Sequence, residues 1–448
     1  MRVPGLFSPT HRWRALGVGA VLLIAGRVVV AICGLVQVPI ALAHLGTERF
    51  GVWVALTGLL WTVSGFDGGI GFALQNRLAR QIAQGKQQDA AALARRGLRR
   101  LYVVGLAVAV GGGALAVWGE WANWFGISDP GLAAEMPSAV GVAFAAAAIS
   151  VPLSLATRVA AARQQTWLTG FWSAIAGVAG LIAVSAAAFF HGGLFSFMAA
   201  ACVLPVAPHA ATWFHLRRTG VWLGARAEPD PSDAGLWSES AAFFVPQLGA
   251  AFNSSLVPTL MAFFAGPAAA ATYGVLQRVF GLVLQLQSLS LQPTWPAYTH
   301  AAARGDALAA RRIFNASMIG AVACGVATLL VLAPFMSDIL RLWLGVMVPD
   351  FPLTLLWSVA GWHVVQGLGQ PPALLLNGTG HASLVAITGI AGIVGSLGLS
   401  LWLGPSWGAV GVVAALAIPY VVLNLPLVTW QAIRVLGHMG ELTGAAPS

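Results

Sequence analysis

The sequence predicts an all-α integral membrane protein with twelve transmembrane helices in two pseudo-symmetric six-helix lobes. Three features carry that prediction: composition, the spacing of apolar runs with the charges between them, and an internal repeat. Of 448 residues, 58% are hydrophobic and 8% are charged, against roughly a quarter charged in soluble domains. A mean hydropathy of +0.81 with 53 glycines and 24 prolines suits membrane helices, which tolerate both residues better than soluble helices do. This composition excludes a soluble enzyme, a disordered tail and a nucleic-acid-binding module. The net charge of +9 comes from 23 basic and 14 acidic residues, and their placement says more than their sum. Cys33, Cys202 and Cys324 lie far apart in apolar runs, as small buried hydrophobes do, not as a disulfide frame or metal site.

A crossing helix needs roughly 20 apolar residues. Such runs occupy 16–43, 51–74, 101–124, 133–157, 166–190 and 194–216. Six more occupy 238–264, 269–292, 313–335, 350–376, 382–404 and 408–430. The first run is far longer than the roughly 7–15-residue core of a cleaved signal peptide. With the N-terminus inside, 19 basic residues fall in inner segments, and only Arg49 and Arg341 fall in outer loops. Acidic Glu48, Glu120, Asp129, Glu135, Asp338 and Asp350 gather outside. This is the positive-inside pattern, and one missed or extra span would scramble it. Both termini are therefore expected in the cytoplasm, with the basic segments against an anionic leaflet of membrane lipids.

The two halves repeat. Val38-Pro39 leads to Gly46 as Val257-Pro258 leads to Gly266. The basic segment with Gly85, Asp89 and Arg95-Arg96 is matched by Gly305-Asp306 and Arg311-Arg312. Ile175-Ala176-Gly177 through Gly180 is matched by Ile390-Ala391-Gly392 through Gly395, and Pro205 by Pro419. Four ordered matches at a shift of about 214–220 residues mark an internal repeat. The expected organisation is an N-terminal lobe at 1–216, a cytoplasmic linker at 217–236, a C-terminal lobe at 237–432 and a tail at 433–448. Each half holds six spans, so the repeats run parallel, and a transport site is expected between them near the midplane. Pro39 and Pro258 are expected to loosen the first helix of each half.

These residues carry a resemblance. Leu45-Gly46-Thr47-Glu48-Arg49-Phe50-Gly51-Val52-Trp53 and Phe66-Asp67-Gly68-Gly69-Ile70-Gly71-Phe72-Ala73-Leu74 resemble the turn, start and glycine-rich end of the second helix in polysaccharide flippases. These flippases belong to the multidrug/oligosaccharidyl-lipid/polysaccharide (MOP) exporter superfamily. Tyr273-Gly274-Val275-Leu276-Gln277-Arg278-Val279-Phe280 is similar to the eighth helix there. Leu374-Leu375-Leu376-Asn377-Gly378-Thr379-Gly380-His381, with Gly404 and Gly408-Ala409-Val410-Gly411, is similar to the tenth-to-twelfth helix signature. The resemblance implies two lobes around a central cavity. It also implies flipping of a lipid-linked, polyprenyl-diphosphate oligosaccharide to the outer face of a bacterial inner membrane, for polysaccharide export.

Three ionisable residues fall deep in the expected spans: Arg27, Asp67 and Arg278. Each costs roughly 2.5–3.5 kcal/mol at mid-helix, so an interior role is the default. Arg27 and Asp67 lie at depths that allow an ion pair. Alternatively, Arg27 faces substrate phosphate, or Asp67 couples a proton or sodium ion. Arg278 has no acidic partner in a neighbouring span by sequence, so a wet cavity suits it. A guanidinium there binds diphosphate oxygens bidentately. Gln247 and Asn253 in the seventh span, Gln285 and Gln287 in the eighth, and His363 in the tenth extend a polar lining, with interhelical hydrogen bonding as the competing role. Most of the 18 tryptophans fall at span ends, as an interfacial belt. Trp53 and Trp362 lie deeper, where lipid-facing packing is expected. Segment 76–100 reads as an amphipathic helix on the leaflet, a platform for polysaccharide assembly proteins, or a connecting loop.

The only lysine, Lys86, is followed by Gln, so there is no P-loop, and no His-Glu pair begins a zinc motif. No cofactor, metal or enzymatic activity is expected. A multidrug or organic-cation antiporter of the same superfamily is the alternative; it would need a carboxylate-rich cavity, and Asp67 is the one deep acid. A membrane glycosyltransferase or polymerase would need paired loop carboxylates, and a non-transporting assembly scaffold would need none of the deep charges.

Overall fold

In a bilayer the backbone must satisfy its own hydrogen bonds, and a helix does so within one segment. The computed structural model describes residues 9–65, 67–219, 240, 255–345 and 351–444. Among these, every regular element is a helix. The first part of the chain forms α1 (Pro9–Ser64), α2 (Ile70–Ala83), α3 (Gln87–Trp118), α4 (Trp121–Trp124), α5 (Pro130–Ala162), α6 (Thr166–Phe189), α7 (Leu194–Ala201) and α8 (Val203–Arg218). The second forms α9 (Val257–Ala265), α10 (Pro267–Leu291), α11 (Thr294–Ala303), α12 (Ala307–Ala327), α13 (Met336–Leu344), α14 (Leu353–Gly378), α15 (Ala382–Pro419) and α16 (Leu425–Gly444).

Among the described residues, eight helical stretches are long and apolar enough to cross a membrane. Two of them contain two expected spans each. Val21–Ser64 is interrupted at Gly46 and Ala382–Met439 at Gly408, where the backbone is not helical. The tenth expected span is α14. Most of the seventh, and most of the expected linker, lie outside the described residues. The helices show apolar flanks to their surroundings: on α3, Val103, Leu106, Val110 and Val117 are each 65–72% exposed, which suits lipid and not water.

The repeat is written in the backbone. Five turns that need positive φ recur in order: Gly46 with Gly266, Gly85 with Gly305, Gly126 with Gly345, Gln164 with Gly380, and His191 with Gly408. Gly46 (φ 72°, ψ 173°) and Gly266 (φ 83°, ψ 169°) even share one conformation, which a Cβ would oppose. The shift is 216 to 220 residues throughout. The remaining positive-φ residues among those described are Gly68 and Gly69 (φ 66° and 75°). They have no match in the second half. The helix runs unbroken through Pro39, so the sharp bend comes at Gly46 and not at the proline.

The chain divides into two compact units, Met1–Thr259 and Leu260–Ser448. Unit 1 includes the start of α9, where the Thr259 hydroxyl donates to the Ala55 carbonyl at 2.8 Å. At its basic end, Leu74 and Leu78 of α2 and Leu93 of α3 pack against Val151, Leu155 and Val159 of α5 and Leu216 of α8. Unit 2 builds the corresponding seam from Tyr298, Ala310, Phe314, Leu375, Val428 and Leu436. The apolar side of segment 76–100 is therefore sunk into its own unit. It is neither a free loop nor a helix floating on the leaflet. Trp53 and Trp362 are core residues, each 2% exposed, not lipid-facing ones. Trp53 Nε1 donates to the Phe197 carbonyl at 3.1 Å, because a buried indole N–H needs an acceptor. At the opposite end, Arg49 bonds Glu135 at 2.6 Å and Asp129 at 3.3 Å. Asp129 also caps α5 by accepting from Gly131 N. That N–H, and after it the Arg49 guanidinium, hold the Asp129 carboxyl below its usual range.

Candidate functional site

The unmatched turn holds a buried polar arrangement in unit 1. α1 ends at Ser64, and two consecutive left-handed glycines break the helix before α2 begins at Ile70. Asp67 stands at this break, not in mid-helix as its apolar surroundings suggest. It is 2% exposed. Its Oδ1 accepts from Gly69 N at 3.0 Å and its Oδ2 from Gly71 N at 3.1 Å. The carboxylate thus closes the N-terminus of α2, where orphan donors and the helix dipole favour an anion. Gly71 makes room for it: a Cβ there would collide with Asp67 Oδ2 and lie 3.0 Å from Arg158 Nε.

Arg158, on α5, is therefore the cation that faces Asp67, and the two interact electrostatically. Arg27 is exposed and does not reach this carboxylate. The pairing expected from sequence is replaced because the break carries Asp67 toward α5. The Arg158 guanidinium also lies 3.8 Å from the centroid of the Phe72 ring, a cation–π arrangement. Its Nε is buried without a hydrogen-bond partner. On the far side, α8 presents His209. The Thr157 hydroxyl gives its one proton to the Ser154 carbonyl at 2.7 Å. It lies 3.3 Å from His209 Nδ1 and can accept from it in the Nδ1–H tautomer. In neutral His209 that leaves Nε2 as the basic nitrogen. Arg158 and His209 also interact electrostatically. Asp67, Arg158 and His209 form one chain of interacting polar groups across α5.

In unit 2, Arg278 is half-buried on α10 and engages a neighbouring group. Gln285 is exposed. Gln287 Nε2 donates to the Gly367 carbonyl at 2.8 Å, and Ser288 Oγ donates to Gln370 Oε1 at 3.1 Å. These two residues tie α10 to α14. Gln287 and Thr328 also border a small pocket with Phe280, Cys324 and His363. His363 is 7% exposed and its Nδ1 bonds the Val359 carbonyl at 2.8 Å. Gln247 and Asn253 lie outside the described residues. Arg158 and His209 were not among the expected site residues. Arg158 counts with the topology-setting arginines when the fourth span is ended at 157. The signal for it was its position inside the continuing apolar run to Ala162, with a buried acid needing a partner.

Comparison with known proteins fits this architecture. No family profile matches the sequence, and no curated protein matches it. Solved structures do. An inward-facing multidrug resistance MATE family transporter of the MOP superfamily aligns over 91% of this chain and 96% of its own, at 12% identity and a TM-score of 0.71. The lipid II flippase MurJ, in an inward closed conformation, aligns over 96% and 94%, at 10% identity and a TM-score of 0.71. A MOP superfamily transporter from Pyrococcus furiosus, described by a binding pocket of reversed polarity, aligns over 93% and 96%, at 13% identity and a TM-score of 0.59. The chain has the multi-pass membrane fold of the MOP superfamily transporters.

Proposed function

We propose that this chain is an alternating-access flippase that moves a lipid-linked, polyprenyl-diphosphate oligosaccharide from the inner to the outer face of a bacterial cytoplasmic membrane. Both termini are taken as cytoplasmic on the charge asymmetry. The observation that carries the reading is the state of the deep charges. Asp67, the acid an organic-cation antiporter would use, is committed to two backbone amides and Arg158. Arg27 and Arg278 are the cations that the expected spans place deep in the two halves, and a guanidinium suits a diphosphate headgroup. The likeness to the lipid II flippase supports this reading. The equal TM-score to a multidrug transporter keeps cation export as the second reading.

A deletion strain is expected to accumulate the lipid-linked saccharide on the cytoplasmic face, without increased sensitivity to organic cations. Arg278→Ala should reproduce that accumulation at normal membrane abundance, and Arg278→Lys should restore export partly, since an ammonium lacks the bidentate fork. Normal saccharide output with new drug sensitivity in the deletion strain would replace this reading with the second.

A further inference from the structure

The chain from Asp67 through Arg158 to His209 has one member of a type that gains charge at mildly acidic pH. We propose that His209 is a proton-binding site whose occupancy releases Arg158 from Asp67 and so loosens the α1–α2 break. The inference concerns unit 1 alone and does not depend on which cargo is moved.

The surroundings of His209 are simple enough to read. α8 packs against α5, α6 and α7. α6 and α7 carry no titratable side chain, and α5 carries two, Glu135 near its start and Arg158 near its end. Arg158 is the charged group that acts on His209. On α8 itself, His215, Arg217 and Arg218 follow toward the helix end. No carboxylate in this set acts on His209 to compensate a proton there. In the Nδ1–H tautomer, Nδ1 faces Thr157, so a proton arrives at Nε2. The new cation then stands beside Arg158 in a partly buried place where like charges are weakly screened. Arg158 lies in the last two turns of α5, and its long side chain can withdraw toward the helix end. Asp67 would lose its counter-charge. Its two backbone donors, Gly69 and Gly71, belong to the turn of left-handed glycines that has no match in unit 2. The unmatched turn and the titratable residue thus meet in one contact chain, which is what a switch limited to one half requires.

Hydrogen exchange of the full-length protein in lipid nanodiscs tests this. After correction for intrinsic exchange, protection of the amides in 67–74 should fall on the order of tenfold between about pH 8 and about pH 5 in the wild type. His209→Gln should stay protected at both pH values. His209→Lys should be unprotected at both, and Asp67→Asn should mimic the open state. Persistence of the pH response in His209→Gln would overturn the proposal, as would wild-type protection in His209→Lys at high pH. Wild-type protection elsewhere in α5 and α8 verifies that each variant is folded.

Discussion

At the basic end of unit 1 the chain turns through Gly68 and Gly69 around a buried carboxylate. At the matching place in unit 2, α10 runs to Leu291 and turns through Gln292 and Pro293. Asp67 and Gln287 are separated by the same 220 residues as Gly46 and Gly266. One half uses an acid facing an arginine; the other uses a neutral amide bonded to a backbone carbonyl. Every other positive-φ turn among the described residues is shared. The positive-φ turns are thus shared nearly throughout, while the joint at Asp67 carries a charge that its counterpart at Gln287 lacks. A neutral joint responds to packing alone, and a charged joint responds also to protons and neighbouring ions. On the switch proposed for His209, the adjustable element of the fold lies in unit 1.

Substitutions that equalise the two joints should show this. Asp67→Leu leaves Arg158 buried without its counter-charge, which costs about 3–5 kcal/mol when one member of a buried pair is lost. The thermal midpoint of the purified protein in detergent should fall accordingly. Adding Arg158→Met should recover much of that loss, because two well-packed apolar groups replace the pair. If the double variant is no better than the single, the carboxylate acts through its helix cap alone. In unit 2, Gln287→Leu should cost only about 0.5–1.5 kcal/mol, the worth of one neutral hydrogen bond, and thermal denaturation compares it directly with Asp67→Leu. The smallest effect belongs to Arg49→Gln. Its partners are part-exposed, and such pairs contribute less than about 1 kcal/mol. A larger shift there would mean that the Arg49 cluster, and not the Asp67 joint, governs unit 1.

The sequence carries the helical membrane class openly, because apolar runs and the placement of arginines leave few alternatives. The repeat was also legible, since Gly46, Gly85 and their partners Gly266 and Gly305 hold their places for conformational reasons. The site was only half legible. Asp67 stood out as a charge in an apolar run. Its partner did not, because the helix break redirects the carboxylate, and a break made by Gly68 and Gly69 looks like ordinary glycine in a membrane helix. Trp53 and Trp362 misled for a related reason: hydropathy reports that a residue avoids water, not whether lipid or protein covers it. Gln287 borders a small pocket and also bonds the Gly367 carbonyl, and that second contact was not legible because it depends on a neighbouring helix that periodicity does not reveal.

The seat of α2 also says something about the order in which this protein is made. Leu74 and Leu78 rest in a bed formed by Val151, Leu155 and Leu216, and Leu216 is synthesised about 140 residues later. At ribosomal rates of roughly 5–20 residues per second, the basic connector waits on the order of ten seconds before its resting place exists. During that interval its leucines need cover from the insertion machinery or a chaperone. The bed of these leucines is complete only once Leu216 of α8 has been made.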